Sequence, residues 1–296
     1  MIQYLFLFLI IVALSSQDYF IKKFKEADPS HTSFDANIRF CAVSSGIEFC
    51  VLMVIWFVGG CEDLFHLPTV VLSAGFGVCF AAATLFSLLA VAEGSLALST
   101  LVISYSLLLP TAWSIVFNGG EQYKSWQFIA GIVMLCVSLF LIRDKDGKTV
   151  TKKWVLYVVL AFVSNGACNI LMDVHQQYYP GQYRSSFLAT SMIFVEIISV
   201  AVILIRKRKT KAHYNPLALV VCSGMNGTSN AMANLLVMTV IGAGVIPTAI
   251  MFPVMSAGQF TFCFLMSFII FHERFSKTQY IGYFLGAASV VLLNMA

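Results

Sequence analysis

Two glutamates and two asparagine ladders hold most of the chemistry available to this chain. Glu48 falls in VSSGIEFCVLMVI and Glu196 in SMIFVEIISVAVI, so each acid is set in an apolar run. Asn226, Asn230 and Asn234 recur in CSGMNGTSNAMANLL, while Asn165, Asn169 and Asp173 recur in SNGACNILMD. A spacing of four stacks each set on one face of a helix. Carboxyls in such surroundings suit proton exchange or the holding of a cation, and ladders of amides suit hydrogen bonding to a polar ligand. The alternative for the glutamates is a protonated side chain bonded between helices. The alternative for the ladders is glue, since interhelical amide bonds average about 0.6 kcal/mol in membranes. No HExxH or GxSxG run, phosphate loop or CxxC pair occurs. We therefore expect no catalytic residue, no metal and no cofactor.

The elements that must position these groups follow from composition. Hydrophobic residues form 59% of the 296, charged residues 11%, and the mean hydropathy is +0.86. Soluble domains carry about 25% charge, so the chain cannot cover a globule in water. Apolar stretches run over about 2–21, 34–58, 67–91, 94–117, 124–142, 153–177, 185–205, 215–240, 243–270 and 277–295. A membrane span takes roughly 20 residues. The reading is an all-α membrane protein with ten transmembrane helices. Most of the eight cysteines lie inside apolar runs, where they act as small hydrophobes. The first apolar run has no basic residue before it, unlike a signal peptide, and reads as a permanent span.

Basic residues give the orientation. Of the 18 Lys and Arg, only Lys124 and Arg184 fall on the face opposite the other sixteen when the spans alternate. The positive-inside rule places the rich face in the cytoplasm and both termini on the other side of the cell membrane. RKRKTK at 206–211 then marks orientation, with no nucleic-acid partner implied.

The halves of the chain resemble each other. EQYKSWQFIAG at 121–131 aligns with ERFSKTQYIGY at 273–283, an offset of 273 − 121 = 152, and Glu48 aligns with Glu196, an offset of 196 − 48 = 148. A unit of five helices repeated once must enter the membrane from the other side, giving two inverted repeats. Secondary transporters use that arrangement, with the site near the midplane where the copies meet.

The stretch PVMSAGQFTFCFLMSFIIFHERFSKTQYIGYFLGAASVVLL at 253–293 resembles the closing helix pair of the EamA-type drug/metabolite transporter superfamily, through Pro253, Glu273, Gln279, Ile281 and Gly282. The resemblance implies residues 1–142 as a first EamA-like repeat, 143–152 as a cytoplasmic linker and 153–296 as a second repeat. It implies a secondary transporter of a small polar metabolite, amino acid or drug. One departure stands out: Leu101 occupies the place equivalent to Pro253, and the first half's proline is Pro110.

On these grounds the expected substrate-binding residues are Glu48, Asn165, Asn169, Glu196, Asn226, Asn230, Gln259 and Tyr105, with Glu48 and Glu196 coupling protons. Glu48, Asn165, Glu196, Asn226 and Gln259 should converge on one cavity that aromatics also line. Ser104, Tyr105 and Trp113 could form an aromatic wall, although in a chain with 14% aromatics chance placement also accounts for them. Asn234 and Asp173 are placed toward the outer surface. Asp18 reads as an ion pair with Lys22, and His175 with Tyr178, Tyr179 and Tyr183 as an interfacial belt. The expected partners are a small-molecule substrate, protons and the lipid bilayer. The rival readings are a flippase for a lipid-linked carrier and, with less support, a membrane-embedded enzyme.

The charge alternation has a direct test. A reporter fused at Ala296 should report a non-cytoplasmic location, and activity confined to the cytoplasm would overturn the assignment.

Overall fold

Long apolar runs fold as helices here because only a helix satisfies every backbone group within its own segment in lipid. The structure, a computed structural model, describes residues 2–93, 99, 102–103, 105–117, 126–142, 151–207, 215–270 and 276–294. Its main helices are α1 (Ile2–Ala27), α2 (Phe34–Val58), α3 (Leu67–Glu93), α4 (Leu108–Phe117) and α5 (Trp126–Ile142) in the first half. The second half contributes α6 (Lys152–Tyr178), α7 (Arg184–Lys207), α8 (Pro216–Ala243), α9 (Thr248–Ile269) and α10 (Lys277–Asn294). No strand occurs among the described residues.

Local sequence sets several ends. The Ser33 hydroxyl accepts from the Ala36 N–H to open α2, and Thr151 accepts from Trp154 to open α6. Asn215 accepts from both Leu217 and Ala218, with Pro216 at the first helical position of α8. Gly244 closes α8 at φ 62°, a left-handed cap that a side chain would strain. Before α4, residues Tyr105–Leu107 tighten into a 3₁₀ turn. Pro110 explains it, since its ring crowds the Ser106 carbonyl four residues back. The Leu107 carbonyl accepts from the Thr111 hydroxyl at 2.9 Å.

This is an all-α membrane protein. Among the described residues, six helical segments are long and apolar enough to cross a bilayer: Ile2–Ala27, Phe34–Val58, Leu67–Glu93, Lys152–Tyr178, Arg184–Ile205 and Thr248–Met266. The asparagine ladder keeps α8 outside that set despite its 28 residues. Large side chains such as Val54, Phe57, Val221 and Phe284 point outward, as lipid contact requires. Hydroxyls inside the helices donate to carbonyls four residues back, as Ser15 does to Ile11, Ser45 to Cys41 and Ser191 to Phe187.

The packing has a regularity. α1 lies on α8 and α3 on α6; α2 meets α8 and α3 meets α7; α1 meets α9 and α4 meets α6. Moving each helix five places along the chain turns every one of these pairs into its companion. The pairs α2–α7, α5–α10 and α4–α9 map onto themselves. Two glycine contacts follow the same rule. A Cβ on Gly77 of α3 would lie 2.7 Å from the Ser191 carbonyl of α7, and one on Gly227 of α8 would collide with the Ser44 carbonyl of α2.

Much of the basic face, from Arg143 to Lys148 and from Arg208 to Lys211 with Arg274, lies outside the described residues, as do Lys124, Glu121, Glu273 and most of the 143–152 linker.

These contacts predict an ordered set of stabilities. Gly77→Ala and Gly227→Ala should each destabilise the bundle by about 1–3 kcal/mol, the usual cost of overpacking. Gly75→Ala meets only Leu171 at 3.6 Å and should be tolerated. Thermal unfolding of the purified variants in detergent checks the order, and an unchanged midpoint for Gly227→Ala would contradict it.

Candidate functional site

The amide ladder of α8 is held from behind. Glu48 on α2 is fully buried, and its carboxylate accepts from Asn230 Nδ2 at 3.1 Å and from Asn234 Nδ2 at 3.2 Å. Asn234 Nδ2 also reaches Asn230 Oδ1 at 3.4 Å. One turn earlier, Asn226 Oδ1 accepts from the Ser44 hydroxyl at 2.9 Å, and its Nδ2 donates to the Gln17 carbonyl at 3.3 Å. Gly227 permits this approach of α8 to α2. The ladder is therefore the seam between α8, α2 and α1, and it is also a surface.

In front of it lies a cavity of about 140 Å³. α8 lends it Asn226, Asn230 and Asn234; α6 lends Asn165 and Asn169; α9 lends Gln259; α1 lends Gln17 and Asp18. Phe76 and Phe80 of α3, stacked with ring centroids 5.6 Å apart, also line it, together with Leu107 and Met172. The rings of α3 and the amides of α8 occupy matching places, since 226 − 76 and 230 − 80 both equal 150.

The remaining polar groups are tied locally. Asn165 Nδ2 donates to the Ser106 hydroxyl at 2.6 Å, in the 3₁₀ turn that Pro110 imposes. Asn169 Nδ2 donates to the Asn165 carbonyl at 2.8 Å. Gln259 Nε2 donates to Asp18 Oδ2 at 3.0 Å, and Cys263 Sγ donates to the same oxygen at 3.1 Å. Asp18 is the sole charged side chain among the described residues that line the cavity. Gln17 Nε2 is sealed in the wall without a partner.

The structure thus gathers Asn165, Asn169, Asn226, Asn230 and Gln259 around one space, with Phe76 and Phe80 in the same lining. Glu48 stands one side chain behind it. Glu196 does not line it: the acid is half-buried on the α2–α7 seam, where it accepts from the Ser45 hydroxyl at 2.9 Å beside Gly46. Tyr105 does not line it either. Its ring packs with Phe260 and Tyr283, and its hydroxyl meets Ser138 at 3.0 Å, because the 3₁₀ turn rotates it away toward α5 and α10. Trp113 packs its ring at a tilt on Phe117 and does not line the cavity, and Ser104 lies outside the described residues. Asp173 is buried and accepts from Gln177, off the cavity.

One reading of the sequence changes. Asp18 bonds to Gln259 and Cys263 and faces the cavity, so the ion pair with Lys22 is replaced by an intramembrane acid. Its place inside an apolar run was the available signal, masked by a lysine one turn on. His175, in the last turn of α6, is buried and bonded to Thr69 and Gln176, while Tyr178 alone of that group is broadly exposed. Phe76 and Phe80 had no signal in one half of the chain alone, and the offset of 150 from the ladder would have marked them.

No family model matches the chain, and no curated protein matches it. Solved structures share the fold: 28 chains match, and one crystal structure of a protein superposes with a TM-score of 0.72 at 15% identity, covering 99% of this chain and 96% of the other.

The cluster behind the wall makes a prediction about pairing. Glu48→Leu strips both asparagine amides of their acceptor and should cost about 1–3 kcal/mol for each donor left buried. Replacing Glu48, Asn230 and Asn234 together by leucine should recover much of that loss. A triple variant less stable than Glu48→Leu in detergent unfolding would show that the three do not act as one unit.

Proposed function

We propose that the protein is a secondary transporter that carries a small polar molecule across the cell membrane by alternating access. The observation that carries this reading is the polar cavity enclosed by helices of both halves inside an otherwise apolar bundle. Polar groups are costly in hydrocarbon, and a shared wet site relieves several together. The size of the cavity favours a small molecule over a lipid-linked carrier.

In this reading the ten helices are ten spans in two inverted five-helix repeats, 1–142 and 153–296, joined by a cytoplasmic segment at 143–152. The exchange of packing pairs on moving five helices along supports it, as do the matched contacts at Gly77 and Gly227. With five spans per repeat and both termini outside the cytoplasm, the exchange is an inversion. The resemblance to EamA-type transporters agrees with the helix order. Asp18 and Glu48 are the acids placed for coupling to protons, one on the cavity and one behind its amide wall. Glu196, on the α2–α7 seam, acts on the contact between the halves.

Alternating access is testable without knowing the cargo. A cysteine at position 169 should react with a membrane-impermeant maleimide added from either side of sealed vesicles. Reaction from one side only, in a variant that otherwise folds, would refute the mechanism.

A further inference from the structure

The amides around the cavity are not free to turn. Asn169 Nδ2 faces a backbone carbonyl, Gln259 Nε2 faces a carboxylate oxygen, and Asn234 Nδ2 faces the Glu48 carboxylate. Each partner only accepts, so each nitrogen is fixed toward it and the carbonyl oxygen is fixed away. Among the described residues, Asn169 Oδ1, Asn234 Oδ1, Gln259 Oε1 and Asp18 Oδ1 accept no hydrogen bond. None of them belongs to the sealed, unpartnered atoms, and all four residues line the cavity. The cavity they line offers acceptors and one carboxylate, while no Lys or Arg lines it among the described residues. Phe76 and Phe80 also line it, their rings stacked on each other with centroids 5.6 Å apart.

Resting on the transporter reading of this cavity, we propose that its substrate is a small primary ammonium ion, seated between the Asp18 carboxylate, the amide oxygens and the two phenylalanine rings. An ammonium group carries three N–H donors for oxygens that lack them, and a charge that the carboxylate pairs. Ring faces attract the same charge within about 6 Å of their centroids. A carboxylate or phosphate would meet oxygen acceptors with no cation to offset them, a repulsive arrangement. The same logic turns away free amino acids, whose carboxylate finds no partner here. A cavity of about 140 Å³ is close to the roughly 150 Å³ that holds a benzene. The substrate is therefore of the size of butylammonium.

The test uses the whole purified protein in detergent, with n-butylammonium, tetramethylammonium, acetate and L-alanine as probes in calorimetric titration. Butylammonium should bind, tetramethylammonium at least tenfold more weakly because it has no N–H donor, and acetate and alanine not at all. Asp18→Asn should weaken butylammonium binding at least tenfold. Should that variant fail to fold, Asn169→Lys places a cation on the amide wall, leaves Asp18 intact and should abolish the same binding. Binding of acetate or alanine in preference to butylammonium, equal binding of tetramethylammonium, or no ammonium binding at millimolar concentration would each overturn the proposal. Counterflow in proteoliposomes separates the two readings. Ammonium binding without counterflow upholds the site and fails the transporter, whereas transport of an anion without ammonium binding does the reverse.

Discussion

A carboxylate in hydrocarbon must find its hydrogen bonds inside the protein, and Glu48 finds them on one helix. Its two donors, Asn230 and Asn234, are a turn apart on α8, so α2 is held against α8 along that turn. The approach is possible because Gly227 has no side chain between them. Once Asn234 aims its nitrogen at Glu48, its oxygen is turned elsewhere. The acid therefore sets the orientation of a wall it does not itself belong to, and buried polar groups must be satisfied as a set for such a wall to stand.

The same rule accounts for the α4 region. Pro110 withdraws one backbone donor, the turn ahead of it tightens, and Ser106 arrives where it can accept from Asn165. A residue that breaks a helix thereby fixes the aim of an amide on a different helix. Tyr105 moves with that turn and closes a small aromatic cluster with Phe260 and Tyr283.

Much of this was legible in the sequence. The run 34–58 and the helix Phe34–Val58 coincide, since Ser33 opens it and Gly59 follows it. Expected and observed limits differ more at 243–270 and Thr248–Ile269, because Gly244 and Pro247 end one helix and delay the next. Spacing identified the ladder on α8 and the amides of α6, because a period of four survives any tertiary arrangement. It could not place Glu48 behind Asn230 rather than beside it. Which face of α2 meets α8 depends on a glycine contact between residues 183 apart (227 − 44). Glu196 illustrates the same limit: its equivalence to Glu48 was visible, but α3 offers Phe76, Phe80 and Thr84 where α8 offers three asparagines, so no amides await it. Asp18 was misread for a local reason, the lysine one turn away.

That difference between α3 and α8 gives the interior a head and a tail. Exchanging the halves preserves which helix touches which, yet it sends rings onto amides. A molecule turned end over end in the cavity would trade stacking for hydrogen bonding, so its two orientations differ in energy. The pairing of helices survives the exchange and the chemistry of the cavity lining does not.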